Sequence, residues 1–318
     1  MTIDKKYALD KAVVVLFNPA LHMRAILRSA MTTLGFQHVL DYGELQQTRN
    51  AVIERGPDLV LLDLDADRAA VCRLVREVRN SNLCADPFVP IIAFTWNPDL
   101  AMVNTSMEAG VDDIIAMPIS LKLIYDRIDI LIRGRKDFVV TSSYVGPDRR
   151  ACDRTAEDEL GLGTIKVPNN LRFKATGDRE AMASSDAVSE VKARIDHHRL
   201  NRYAQRIQWL IGEILKSKSE GSEIGKVTIQ RHDEIGRLIE DMAFDLRTQG
   251  HVELLEITDS MTRLLDMVRA NHRPQFYEFL RLHAMAIIAT LLERDGAADM
   301  VKQALKETAD YLDRVRAA

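Results

Sequence analysis

Along the first 135 residues, short unbroken apolar runs alternate with stretches in which apolar residues recur every three or four positions. The runs AVVVLF at 12–17 and DLVLLDL at 58–64 are typical of strands buried on both faces of a sheet. The alternation predicts strands at 12–17, 36–42, 58–64, 89–95 and 112–117, and helices at 20–34, 45–55, 69–78, 99–109 and 121–133. Five strand–helix units with short connections predict an α/β domain over residues 10–135. We expect a doubly wound, five-stranded parallel sheet with helices on both faces.

The regular pattern is lost between residues 136 and 185. Glycine, proline and serine punctuate this stretch, as in Gly146-Pro147 and Ser184-Ser185. Such a composition predicts a linker without clear elements, either mobile or laid across a domain surface.

From residue 186 to residue 318 the apolar residues return at helical spacing, without a strand pattern. The spacing predicts helices at 188–216, 232–248, 252–270, 274–293 and 298–315. Because the turns between them are short, we expect antiparallel neighbours in an all-α helical bundle that serves as an output or interaction domain. The uneven apolar spacing of the first helix disfavours a long coiled coil and leaves homodimerisation open.

Composition and charge exclude several classes of protein. The 43 lysine and arginine residues face 47 aspartate and glutamate residues, a net charge of −4 that gives no general attraction to nucleic acid or anionic lipid. No apolar run approaches the roughly 18 residues that span a bilayer, and no signal peptide is indicated. Three irregularly spaced cysteines predict neither a disulfide framework nor a zinc site. We therefore expect a cytoplasmic protein with neither nucleic acid nor membrane as its partner.

Several motifs of the first domain carry a resemblance to a known family. AVVVLFNP, HMRAILRSAMTTLGF, PDLVLLDLD, PIIAFT and AGVDDIIAMPIS follow one another as in the response regulator receiver domain, so that residues 10–135 resemble this CheY-like family of two-component signalling. In the family, an acidic pair after the first strand and an aspartate after the third hold Mg²⁺, and that aspartate accepts a phosphoryl group. A serine or threonine after the fourth strand and a lysine after the fifth contact the phosphoryl oxygens.

The resemblance assigns roles to two residues of this chain. Asp63 matches the phospho-accepting aspartate, and Thr95 matches the switch threonine at the end of the fourth strand. A threonine at a strand end also commonly bonds to nearby backbone, and this simpler role of Thr95 stays open.

The remaining positions of the family's site are degenerate in this chain. Leu16 and Phe17 stand where the acidic pair belongs, and in a shifted alignment Asn18 and Pro19 stand there. Met117 replaces the lysine. Since phosphoryl transfer depends on positioned charge, the absence of these carboxylates and of the lysine predicts a pseudo-receiver without a resident metal.

This interpretation has consequences for the neighbouring residues. Phe17 and Met117 are expected to fill the vacant site. Asp65 and Asp67 are interpreted as caps of the third helix, with the alternative that one of them rebuilds part of a metal site. We expect no enzyme activity and no catalytic residue. We expect instead recognition of a protein partner, such as a histidine kinase or another signalling protein.

Two other functions stay open on the sequence alone. One is a working phosphorelay component that is phosphorylated on Asp63 with Mg²⁺, or that passes phosphate through His283. For His283 a packing role is favoured, because the residues after it do not match a phosphotransfer domain. The other is a nucleotide sensor that uses Arg149, Arg150 and Arg154, of which the last two have the RxxxR spacing of cyclic-di-GMP-binding PilZ domains.

Overall fold

The computed structural model describes residues 6–80, 84–149, 163–219 and 226–317. The chain divides into two compact units, Met1–Ile195 and Asp196–Ala318. The division lies beyond the border between residues 185 and 186 that the composition predicts.

The first unit contains the predicted doubly wound sheet. Its strands are β1 (Val13–Phe17), β2 (His38–Tyr42), β3 (Leu59–Asp63), β4 (Ile91–Thr95) and β5 (Asp113–Ala116). They pair in parallel in the order β2-β1-β3-β4-β5. The helices between and after them are α1 (Leu21–Leu34), α2 (Leu45–Arg55), α3 (Arg68–Asn80), α4 (Leu100–Ala109) and α5 (Leu121–Gly134). The predicted fold class is confirmed, with element ends shifted by one or two residues.

Alternation along the strands gives the sheet two apolar faces. Leu16 and Leu61 belong to the cluster that packs beneath α1 and α5. Phe17 and Leu62, each one residue further on, belong to the cluster beneath α2, α3 and α4. Successive strand residues point to opposite faces, so a parallel sheet covered on both sides needs apolar residues at almost every position.

The described parts of the segment that follows α5 contain regular elements, so the prediction of a linker without elements is wrong for these parts. Its elements are the antiparallel strands β6 (Phe138–Val140) and β7 (Val145–Pro147), the helix α6 (Asn170–Thr176) and a 3₁₀ turn at Arg179–Ala181. Phe138 also pairs with Ile165, and its ring meets Phe88 edge-on at 5.8 Å. These side chains form a separate apolar cluster of the first unit.

A buried group of charges fixes the hairpin to the sheet. The Asp112 carboxylate, 2% exposed, lies 2.9 Å from Nη2 of Arg79 and 2.6 Å from Nε of Arg135. Both guanidinium groups also lie near the Phe138 ring, with their central carbons 5.3 Å and 5.0 Å from its centroid. Burial lowers the pKa of Arg79 to about 10, against the attraction of Asp112. Composition does not show this arrangement, because its members are far apart in the chain.

Helix α6 is fixed to the same edge of the sheet by Asp58, the residue directly before β3. The buried carboxylate of Asp58 accepts hydrogen bonds from the backbone N–H of Val13 at 2.7 Å, from Nδ2 of Asn170 at 2.6 Å and from Nζ of Lys174 at 2.9 Å. Val13 and Asp58 mark the amino ends of their strands. The segment after α5 therefore covers the amino edge of the sheet, opposite the edge at which Asp63 lies.

The helices of the C-terminal region are α7 (Ser185–Ser219), α8 (Lys226–Gln249), α9 (Val252–Asn271), α10 (Pro274–Leu291) and α11 (Ala297–Ala317). Ion pairs between α7 and α8 show that these helices are antiparallel: Arg199–Asp245, Arg206–Glu234 and Arg231–Glu213. One apolar core joins the five helices of this bundle. The helix predicted at 232–248 begins six residues earlier, because His232 is an interior residue whose Nε2 lies 2.9 Å from the Tyr277 hydroxyl.

Within the parts of the chain that the structure describes, no helix combines the length and the apolar character needed to cross a membrane.

Candidate functional site

The carboxyl ends of β1, β3 and β4 bring Asn18, Asp63 and Thr95 to one edge of the sheet. Oδ2 of Asp63 accepts a hydrogen bond from Nδ2 of Asn18 at 2.5 Å, and Oδ1 accepts one from the backbone N–H of Asp65 at 2.8 Å. Burial raises the pKa of Asp63, and the nearby charge of Asp65 acts in the same direction, against the backbone N–H bonds. Asp63 is therefore a half-buried acid held by a neutral amide.

Asn18 is held by hydrogen bonds of its side-chain nitrogen, its side-chain oxygen and its carbonyl oxygen, and only 5% of its surface is exposed. Its Oδ1 accepts a hydrogen bond from the N–H of Ala20 at 2.9 Å, and its carbonyl oxygen accepts one from Nη1 of Arg24 at 2.8 Å. Because Oδ1 is used as an acceptor, the amide nitrogen is the group that faces Asp63. Of the degenerate positions named from the sequence, Asn18 is the one whose side chain is hydrogen-bonded to Asp63.

Asp65 contacts the end of β4. Its Oδ1 accepts a hydrogen bond from the hydroxyl of Thr95 at 2.7 Å, and its Oδ2 accepts one from the backbone N–H of Trp96 at 2.6 Å. The interpretation of Asp65 as a helix cap is therefore wrong. The same interpretation is correct for Asp67, whose Oδ1 accepts a hydrogen bond from the N–H of Ala70 in the first turn of α3.

Leu16, Phe17 and Met117 all pack against the apolar clusters of the sheet, and the filling of the site by Met117 stays a prediction. Leu16 and Phe17 are buried in the clusters on opposite faces of the sheet. Met117 packs against the α1–α5 cluster, and its peptide bond to Pro118 is cis. Phe17 and Met117 thus lie on different faces, and the hydrogen-bonded side chain at Asp63 is the Asn18 amide. Phe17 could not fill the space because its position in β1 directs it toward α2 and α3.

The residues present do not fit a magnesium ion. Mg²⁺ requires near-octahedral oxygen ligands, and the carboxylate oxygens of Asp63 and Asp65 each accept a hydrogen bond from the protein. Among the described residues, no group of three or more histidines, cysteines, aspartates or glutamates is placed to hold a metal. The alternative that Asp65 or Asp67 rebuilds a metal site therefore finds no support in their contacts.

His283 lies in the core of the bundle. Its side chain is fully buried, its Nδ1 lies 2.8 Å from the carbonyl oxygen of Phe279, and its Nε2 lies 2.9 Å from Oγ of Ser260. Burial lowers its pKa. A phosphotransfer histidine must present a ring nitrogen to solvent, so this placement does not support phosphotransfer through His283. It agrees with the packing role.

Of the three arginines in the nucleotide-sensor hypothesis, the structure describes Arg149. Arg149 stacks on the ring of Tyr144, with its central carbon 3.8 Å from the ring centroid. Arg150 and Arg154 lie outside the described residues. The spacing of the RxxxR pair thus stays a sequence prediction.

Comparison with known proteins agrees with the fold of the first domain. Residues 18–129 match the response regulator receiver domain. The DNA-binding response regulator MtrA of Mycolicibacterium smegmatis is 35% identical over 98 residues, 30% of this chain and 40% of that protein. The phosphate regulon transcriptional regulatory protein PhoB of Pseudomonas aeruginosa is 27% identical over 111 residues, 35% of this chain and 47% of that protein.

Two solved structures were also found to be similar. The receiver domain of a sensor histidine kinase from Pseudomonas aeruginosa PAO1 is 20% identical with a TM-score of 0.33, covering 36% of this chain and 93% of that one. A signal receiver domain from Bermanella marisrubri is 18% identical with a TM-score of 0.34, covering 38% of this chain and 97% of that one.

The parallel sheet has the strand order β2-β1-β3-β4-β5, with an aspartate ending β3 and a threonine ending β4. Together with the family match, this arrangement shows that residues 18–129 form a response regulator receiver domain. The chain spans less than half the length of the two curated relatives named above.

Proposed function

We propose that this protein is a non-enzymatic component of two-component signalling, in which a degenerate receiver acts by protein–protein recognition and not by accepting phosphate. One observation carries the proposal. The Asp63 carboxylate is bound by the neutral amide of Asn18, and neither alignment of this chain places a carboxylate at the family's Mg²⁺-holding position.

The electrostatics of the site support this proposal. A phosphoryl group on Asp63 would add negative charge beside the Asp65 carboxylate, whose charge already raises the pKa of Asp63. Met117 offers no cation to offset that charge, and the donor set does not suit a metal ion. Phosphoryl transfer relies on such positive charge for most of its acceleration. We therefore expect transfer to Asp63 to be slow or absent.

For the output we propose a protein partner, such as a histidine kinase or another signalling protein. The name of MtrA describes it as DNA-binding, and this is a property of that relative. For this chain the net charge of −4 supports a protein in preference to nucleic acid, because DNA binding draws on clustered positive charge. The helical bundle is the part that we propose to make the contact, with homodimerisation open.

The test is phosphorylation with a small-molecule phosphodonor and Mg²⁺, read by intact mass and peptide mapping. We expect treatment with the phosphodonor to add no phosphoryl mass to Asp63 in the wild-type chain, and likewise none to the Asp63→Asn control. Trp96, which follows Thr95 and is exposed, should show no fluorescence change on addition of Mg²⁺. An adduct that maps to Asp63 and disappears in Asp63→Asn would overturn the proposal and establish a phosphorelay component with an unconventional site.

A further inference from the structure

The loop after β3 and the loop after β4 are joined by a single carboxylate. We propose that Asp65 acts as a built-in anion that holds Thr95 and Trp96 at the Asp63 edge of the sheet, and so fixes the loop before α4 in one conformation without a phosphoryl group. The proposal rests on the proposed function, since it supplies the means by which a receiver that takes no phosphate keeps a defined state.

The two hydrogen bonds from Thr95 and Trp96 to the Asp65 carboxylate form what is called the clamp below. Asp65 uses separate oxygens for the hydroxyl of Thr95 and for the N–H of Trp96. Hydrogen bonds to a carboxylate are shorter and stronger than those between neutral groups. The hydroxyl of Thr95 is fully buried, so that without Asp65 it would lose a charged acceptor in a place that water does not reach readily.

The clamp extends from Thr95 to the start of α4 through consecutive hydrogen bonds. Oγ1 of Thr95 accepts a hydrogen bond from the N–H of Asn97 at 3.1 Å, and the N–H of Asp99 donates to the carbonyl oxygen of Asn97 at 2.9 Å. Asp99 then caps α4 by accepting a hydrogen bond from the N–H of Met102 at 2.7 Å. One carboxylate on the β3 side therefore orders the whole loop between β4 and α4.

Asp65 is also linked to Asp63. Its backbone N–H donates to Oδ1 of Asp63 while its side chain holds Thr95. A new anion on Asp63 would have to draw on the Thr95 hydroxyl that Asp65 already engages. The clamp thus fixes the loop and also withdraws this hydroxyl from a competing anion.

The clamp can be tested by hydrogen exchange of the loop, read by mass spectrometry of the full chain. In Asp65→Ala we expect the amides of Trp96 and Asn97 to exchange at least about tenfold faster than in the wild type. The free energy needed to open the loop is lower in this variant, because the hydrogen bonds to the charged carboxylate are absent. Asp65→Asn keeps one side-chain oxygen and should exchange at an intermediate rate.

Asp67→Ala is the matched control, since it removes a carboxylate two residues away that bonds only to the first turn of α3. It should accelerate exchange at the start of α3 and leave Trp96 and Asn97 unchanged. A second readout uses a Trp209→Phe background, in which Trp96 is the remaining tryptophan of the two in the chain. There, Asp65→Ala should change the emission of Trp96 and its quenching by acrylamide, and Asp67→Ala should not.

Unchanged exchange of Trp96 and Asn97 in a folded Asp65→Ala protein would overturn the clamp. If Asp65→Ala does not fold, Asp65→Asn and Thr95→Val give the same comparison with smaller changes, and wild-type exchange in both would likewise refute it. This outcome is separable from a failure of the proposed function, which is decided by the phosphodonor experiment on the wild-type chain. An adduct on Asp63 together with a loop that loosens in Asp65→Ala would refute the pseudo-receiver and retain the clamp.

Discussion

At the scale of single residues, the amide of Asn18 changes the chemistry at the edge of the sheet where Asp63 lies. Asn18 donates a hydrogen bond to Asp63, where a second carboxylate would repel it unless a cation lay between them. The sequence shows that the carboxylates are missing, because either Leu16 and Phe17 or, in the shifted alignment, Asn18 and Pro19 stand at their positions. It did not predict the contact between Asn18 and Asp63, which are 45 residues apart and meet only through the pairing of β1 with β3.

His283 gives a prediction at the same scale. Because burial lowers its pKa, the folded state binds a proton less readily than the unfolded state. Its contribution to stability is therefore present above the unfolded-state pKa of about 6.5 and is lost as the pH falls below it. We expect the free energy of unfolding, measured with urea, to decrease between about pH 7 and about pH 5, and to decrease less in His283→Gln.

Exposed His22, replaced by glutamine, is the control and should retain the wild-type pH dependence. If His283→Gln lost stability on acidification as steeply as the wild type, the buried neutral state of His283 would be refuted.

At the scale of elements, strands and helices with a clear period were predictable, and the β6–β7 hairpin was not. Three-residue strands such as Phe138–Val140 are too short to show a period. Their order comes from Phe88, Asp112 and Arg135, which no local pattern connects with them. The start of α8 differs from the prediction for a related reason, since the histidine at position 232 is buried although its residue type is polar.

The buried charges at the hairpin give a prediction for this scale. Asp112→Ala would leave Arg79 and Arg135 buried without their carboxylate, and breaking a buried pair in this way destabilises a protein by about 3–5 kcal/mol. We expect a loss of this size in urea unfolding followed by circular dichroism.

The adjacent Asp113 is a suitable control, because its ion pair with Arg127 at 3.3 Å is partly exposed. Asp113→Ala should cost less than about 1 kcal/mol. Equal losses for the two variants would show that the buried group does not hold the hairpin in place.

At the scale of the whole molecule, the choice between a protein and a nucleic acid partner can be measured directly. With a net charge of −4, we expect the full chain not to bind a labelled DNA duplex at about 0.15 M salt, as followed by fluorescence anisotropy. A second duplex of unrelated sequence is the control for non-specific attraction. Tight binding to either at that salt concentration would show that nucleic acid is a partner, as the name of MtrA states for that relative.

The covered amino edge of the sheet has a consequence for recombination, whether natural or engineered. The family match ends at residue 129, yet Arg135 and the hairpin that complete the burial of Asp112 lie beyond it. In a receiver excised at the family border, Asp112 would keep Arg79 but lose Arg135, and Phe88 would lose the Phe138 ring that packs against it. The interchangeable cassette in this protein is therefore the longer segment that includes α6, and domain swaps should be designed around it.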